Sequence, residues 1–151
     1  LRHVRPFPAK EQDYLIPAKS VFNKVIGDSG LELAYAQFLE NCSDVVSYAK
    51  NYLSVDFSLD YINREGSIAH YHPDFFVKTR DDTVFIVETK GLEDVTVPLK
   101  MARLKQWCED INAAQKDRKY DFVYVDEKMF NTYTPSSFEA LVEQFREYKE
   151  E

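Results

Sequence analysis

Apolar positions recur along this chain at two spacings, a helical three-to-four and a strand-like two, and their succession lays out an order of elements. Ser29 followed by Glu32 is a capping box, and Leu31, Tyr35, Phe38 and Leu39 then share one face, which predicts a helix to about Glu40. Ser43 and Asp44 open a second predicted helix through Tyr52, with Val45, Val46, Ala49 and Tyr52 on one side. Residues 54–62 read as a strand, which Asn63-Arg64-Glu65-Gly66 turns into the β-rich run 68–79. Arg80-Asp81-Asp82 is a short polar turn into a further strand, residues 83–89. Pro98 suits the first position of a helix to about Ala114, with Met101, Leu104, Cys108 and Ile111 as its apolar stripe. Residues 120–125 read as a strand, and Thr134-Pro135 as the cap of a last helix carrying Phe138, Leu141, Val142 and Phe145.

This order predicts an α/β fold, a central mixed four-stranded sheet flanked by helices. The last strand follows a crossover helix and is expected parallel to the one before it. Residues 1–20 are rich in Pro and basic side chains without periodicity. They are expected to form a connector, or a lead-in from a larger protein, ahead of one domain over residues 21–151.

Composition narrows the class. A chain of 151 residues that is 44% hydrophobic, with eleven Phe and ten Tyr, can bury a sizeable core and is not disordered. No apolar run approaches the roughly 20 residues of a membrane span, and nothing resembles a signal peptide, so no membrane partner and a cytoplasmic location are expected. Cys42 and Cys108 lack CxxC spacing and are expected as reduced, partly buried thiols. No GxxxxGK[ST] loop occurs, so no ATP site is expected in this chain. A net charge of −7 disfavours a general nucleic-acid coat protein but leaves room for a metal-neutralised acidic pocket.

The candidate chemistry lies in HYHPDFFVKTRDDTVFIVETKG. With the turn centred on Asp81, antiparallel pairing sets Thr79 against Thr83, Val77 against Phe85 and Asp74 against Glu88. Lys90 follows Glu88 on the same face, whereas Val87 and Thr89 point the other way. Like charges opposite each other are destabilising, so the pair calls for a cation. Hard oxygen ligands suit magnesium, which takes one or two carboxylates and keeps several waters. Lys90 is then placed to hold an attacking water and to stabilise charge on a phosphate. Taken singly, Pro-Asp marks turns and Glu-x-Lys a solvated face; the hairpin register is what joins them, and a slip of one residue would part them.

Pro73-Asp74 with Glu88-Thr89-Lys90 resembles the PD-(D/E)xK nuclease core. VETKGLED followed by LKMARLKQWCEDIN, with Gly91, Glu93, Asp94, Trp107 and Cys108, is similar to the C-terminal endonuclease domain of type III restriction enzyme Res subunits and related DEAD/DEAH-type helicase-nucleases. The resemblance runs from about Val21 to Phe145. It implies a restriction-endonuclease-like fold and magnesium-dependent cleavage of double-stranded DNA, with manganese a possible substitute. It also implies a metal site of Asp74, Glu88 and the main-chain carbonyl of Thr89, a helicase/ATPase domain in the same full-length protein, and a separate modification methyltransferase subunit. Glu32 matches the first-helix Glu that often completes such a site, and competes there with its capping role; Glu40 is the weaker substitute. His70 and His72 are expected to flank the cleft, Lys100, Arg103, Lys105 and Gln106 to form a face that can meet phosphate, and Trp107 to be core. A nuclease-fold module that only binds DNA or assembles a complex, and a resolvase or repair nuclease of the same fold, are the alternatives.

Overall fold

A computed structural model describes residues 1–10, 12–91 and 94–146. A short hairpin of β1 (Tyr14–Leu15) and β2 (Val25–Ile26) precedes helix α1 (Gly30–Asn41), whose N-cap Ser29 accepts from the Glu32 amide. Strand β3 (Val45–Lys50), a small hairpin of β4 (Leu59–Ile62) and β5 (Ile68–Tyr71), and strands β6 (Phe75–Thr79) and β7 (Thr83–Lys90) follow. Helix α2 (Val97–Ala114), strand β8 (Lys119–Asp126), and helices α3 (Glu127–Tyr133) and α4 (Phe138–Gln144) complete the order.

The central sheet runs β3-β6-β7-β8, antiparallel except for β7 and β8, which are parallel. This is the expected mixed four-stranded α/β architecture, consistent with a restriction-endonuclease-like fold. Alternation along the strands divides the core. Phe75, Val77 and Val87 pack with Tyr35 and Leu39 of α1 and Phe138 and Leu141 of α4 on one face. Ile86, Phe122 and Tyr124 pack with Met101 and Leu104 of α2 and with Leu59 and Tyr71 of the small hairpin on the other. Phe75 is fully buried, and cutting it to Ala would cost roughly 3–5 kcal/mol.

The sheet's membership differs from the expectation. Residues 43–52 do not continue in a helix; they form the edge strand β3. A bulge between Val45 and Ser47 breaks the two-residue alternation there, so the buried positions mimic helical spacing. The run 68–79 is not one strand. It divides at His72-Pro73-Asp74, its first half pairing with β4 in a separate sheet, where Pro73 offers no ladder amide. Residues 54–62 shorten to β4, preceded by a 3-10 turn at Leu53–Val55. Helix α3 is unforeseen. It ends with Thr134 in a left-handed conformation, and Ser137, not Thr134-Pro135, caps α4.

Two expectations drawn from local signals hold. Pro98 stands in the first turn of α2, and Cys42 and Cys108 are buried thiols on opposite faces of the sheet. Tyr14–Leu15 is paired and Ser20 bridges Tyr48, so part of the first twenty residues packs on the domain. No helix among the described residues is long and apolar enough to cross a membrane.

Candidate active site

The hairpin β6–β7 fixes the site. Asp82 closes its turn in the left-handed region, φ 63°, which Asp tolerates, and its amide bonds to the Thr79 carbonyl. The register is Val77↔Phe85 and Phe75↔Val87 and ends there, with Asp74 just before β6 and close enough to Glu88 for its charge to raise the Glu88 pKa. Glu88 continues the Val84–Ile86 series toward α2, and Thr89 continues the Phe85–Val87 series toward α1.

Asp74 is held from both sides. Its amide donates to the Val87 carbonyl at 2.9 Å and its carbonyl accepts from the Asn51 amide at 2.7 Å. One carboxylate oxygen, Oδ2, accepts from the Thr89 amide at 2.7 Å and the Thr89 hydroxyl at 2.8 Å. Burial nonetheless pushes the Asp74 pKa up to about 6, against the Thr89 bonds. Glu88 is more extreme. It is 5% exposed, and its Oε2 is buried without a hydrogen-bond partner. Burial first, then the charge of Asp74, push it to about 8, with Lys100, Tyr71 and Lys90 only partly offsetting. Asp74 ionises first, so Glu88 bears the repulsion. The Tyr71 hydroxyl lies close enough to ease that charge but stays outside hydrogen-bonding geometry, itself buried and unpartnered. Lys100 sits over the Tyr71 ring at 5.6 Å.

Lys90 lies on the strand face of Glu88, one third exposed, with Nζ 3.5 Å from Asp94 Oδ2. Asp94 is occupied in the turn before α2, where bonds from the Thr96 hydroxyl and amide hold its carboxyl down at about 2. Glu93 lies outside the described residues. Gly91 admits the carboxylate of Glu127, which comes within 2.9 Å of where a Cβ would stand.

Glu32 performs a different task from the two expected of it. Its Oε2 accepts from the Asp28 amide at 2.9 Å, one residue before the amide a capping box would use, and from Lys50 Nζ at 2.7 Å. Its charge reaches Asp74, whose pKa it raises. Among the described residues no group of three or more His, Cys, Asp and Glu has metal-holding geometry, so Glu32 is not gathered with Asp74 and Glu88 into one cluster. Glu40 is engaged elsewhere, accepting from the Ala18 and Lys19 amides. His70 pairs with Asp60 on the exposed small hairpin at 2.6 Å, and His72 is exposed. Arg103 donates to the Asp60 carbonyl, Gln106 to Asp110, and Trp107 packs edge-on against Phe57 and Tyr120.

Two residues near the site carried no sequence signal. Lys50 is 4% exposed and bonds the Ile26 carbonyl, Asp28 and Glu32. Burial alone would lower its pKa, but the two carboxylates outweigh it and raise it. Tyr71 was legible only as an apolar strand residue before His72-Pro73.

Asp74 and Glu88 fit a hard divalent cation. They offer oxygen donors, a buried oxygen with no partner, and two carboxyls whose ionisation a positive charge would relieve; magnesium needs no more than two from the protein. Residues 18–116, more than half of the chain, match a family described as an endonuclease domain, and the match spans Glu32, Lys50 and the whole Asp74-to-Lys90 hairpin. Searches of curated proteins and of solved structures gave no significant match.

Proposed function

The chain belongs to the endonuclease-domain family, and from that premise we propose that it cuts DNA phosphodiester bonds at Asp74, Glu88 and Lys90, with magnesium as cofactor and manganese able to substitute. One observation carries the reading: Glu88 is buried beside a second carboxyl with an oxygen that no described residue satisfies. Such a pair destabilises a fold unless a cation completes it.

Asp74, Glu88 and the main-chain carbonyl of Thr89 would hold the ion, which when bound supplies positive charge against a phosphate oxygen. Thr89 has a double part here, because its amide and hydroxyl already orient Asp74. Lys90 orients the attacking water and meets the charge that builds on the phosphate. Glu32, fastened to Lys50 and Asp28, acts through its charge on Asp74.

The finer reading is the cleavage domain of a type III restriction enzyme Res subunit. It supposes double-stranded DNA as substrate, a helicase/ATPase domain in the same full-length protein, a separate modification methyltransferase subunit, and a cytoplasmic setting. VETKGLED and the helix LKMARLKQWCEDIN, both within the matched region, support it.

The test is cleavage of supercoiled plasmid by the 151-residue chain with magnesium, with manganese and with EDTA, beside Asp74→Asn and Glu88→Gln, with metal binding followed by calorimetry. Metal-dependent nicking or linearisation by the parent alone is expected. Metal binding that Asp74→Ala leaves unchanged, with no cleavage, would reduce the domain to a nuclease-shaped assembly module.

A further inference from the structure

We propose that the groove between the N-terminal segment and Tyr52 is the path of an unpaired DNA strand beside the cleavage site, an inference that deepens the nuclease reading and rests on it. The groove has a volume of about 830 Å³, within the range of built ligand sites. Among the described residues its lining includes Arg5, Lys10 and Lys24 and neither Asp nor Glu. That is unusual in this chain. Residues 1–24 carry five Lys and Arg against two Asp and Glu, whereas the remainder carries fourteen against twenty-four. Positive charge is therefore gathered at one place on an acidic protein, which is how a polyanion is selected without coating the whole surface.

The aromatic content separates a single strand from a duplex. Phe7, Phe22 and Tyr52 form an edge-to-face triad with centroids 5.3–5.8 Å apart, and exposed Tyr14 stands beneath Lys24 Nζ at 4.5 Å. Rings beside cations are the combination that holds bases with free π-faces, which a closed duplex does not offer. Asp28, bonded by the lining residue Gln12, is paired with Lys50. The groove is also joined to the site. The Tyr52 hydroxyl accepts from the Ile26 amide at 2.8 Å and donates to the Lys24 carbonyl, and the preceding residue, Asn51, bonds the Asp74 carbonyl. The lining residue Tyr52 is thus next in sequence to the residue that holds the backbone of the candidate metal site.

The experiment is fluorescence anisotropy of the 151-residue chain with a labelled oligothymidylate in EDTA, where no cleavage occurs, against a duplex of the same length. The parent should bind the single strand more tightly. Combined Arg5→Ala, Lys10→Ala and Lys24→Ala should weaken binding roughly tenfold or more and reduce the slope of log K against log salt by roughly 2, three lost phosphate contacts. The charge-keeping set Arg5→Lys, Lys10→Arg and Lys24→Arg should bind as the parent does. Parent-like affinity or salt slope in the Ala set, or no preference for the single strand, would overturn the groove. Asp74→Asn separates the two readings: unchanged anisotropy with abolished cleavage supports both. Single-strand binding with the expected salt slope, but no cleavage by any form, keeps the groove and sinks the nuclease.

Discussion

Two clusters of charge are buried at the same end of the sheet, and they follow opposite rules. Around Lys50 every charge is answered: the ammonium meets Asp28 at 2.8 Å, Glu32 at 2.7 Å and the Ile26 carbonyl at 2.8 Å. Around Glu88, beyond the neighbouring residues on the same two strands, the balance fails. Two carboxyls lie near each other, one oxygen has no partner among the described residues, and Lys100 and Lys90 only soften the repulsion. The first cluster closes the fold by tying β3 to the chain before α1. The second costs stability, and retained instability of this kind marks a place built for a ligand.

The sharpest way to break the contrast is Lys50→Met. It strands Glu32, whose side chain is 12% exposed, while Asp28 can return to water. We expect a loss of about 3 kcal/mol or more in urea unfolding, the lower part of the range for breaking a buried pair. A change near zero would mean that the cluster is solvated. Lys90→Ala should act on the other cluster in the opposite sense, lowering plasmid cleavage about a hundredfold or more while metal still binds by calorimetry and the fold is untouched. Parent-like cleavage would make Lys90 a surface residue.

Acidity offers a third lever. Asp74 and Glu88 have folded pKa values of about 6 and about 8, above those of an unfolded chain, so the metal-free folded protein holds the extra protons. Its stability is fully present below about pH 4 as far as these two groups are concerned, and is lost as pH rises through 6 and then 8. Glu88→Gln should flatten the upper part of that profile and add roughly 1–3 kcal/mol at pH 8.5. A thermal midpoint that does not respond to pH between 5 and 8.5 in EDTA would remove the imbalance. Glu32→Gln should be the mildest change, about 1 kcal/mol, because the amide oxygen still accepts from Asp28 and Lys50. A fall in metal affinity far beyond that would return Glu32 to the metal's own ligands.

The same contrast explains what the sequence disclosed. The unbalanced pair was legible because a hairpin register is local: a three-residue turn brings Phe75 to Val87, and the two carboxylates are their immediate neighbours in sequence. The N-cap at Ser29 and Pro98 at the start of α2 were legible for the same reason. The balanced cluster was not. Lys50 lies in a strand whose bulge imitates helical spacing, and its partners sit more than seventeen residues upstream on a loop and a helix end. Helix α3 was hidden because it leaves β8 with no intervening breaker; Asp126, the last strand residue, is already its N-cap. The division of the run 68–79 could have been suspected from Pro73 alone.

Asn51 stitches the region together. Its amide takes the Asp74 carbonyl, while its side-chain nitrogen donates to both the Pro73 and Phe57 carbonyls at 2.8 and 2.9 Å. With the Asp74 amide fastened to Val87, the main chain at this aspartate has no slack in either direction. The entropy of ordering the carboxylate is therefore settled when the protein folds, and it does not recur at each encounter with a cation or a phosphate.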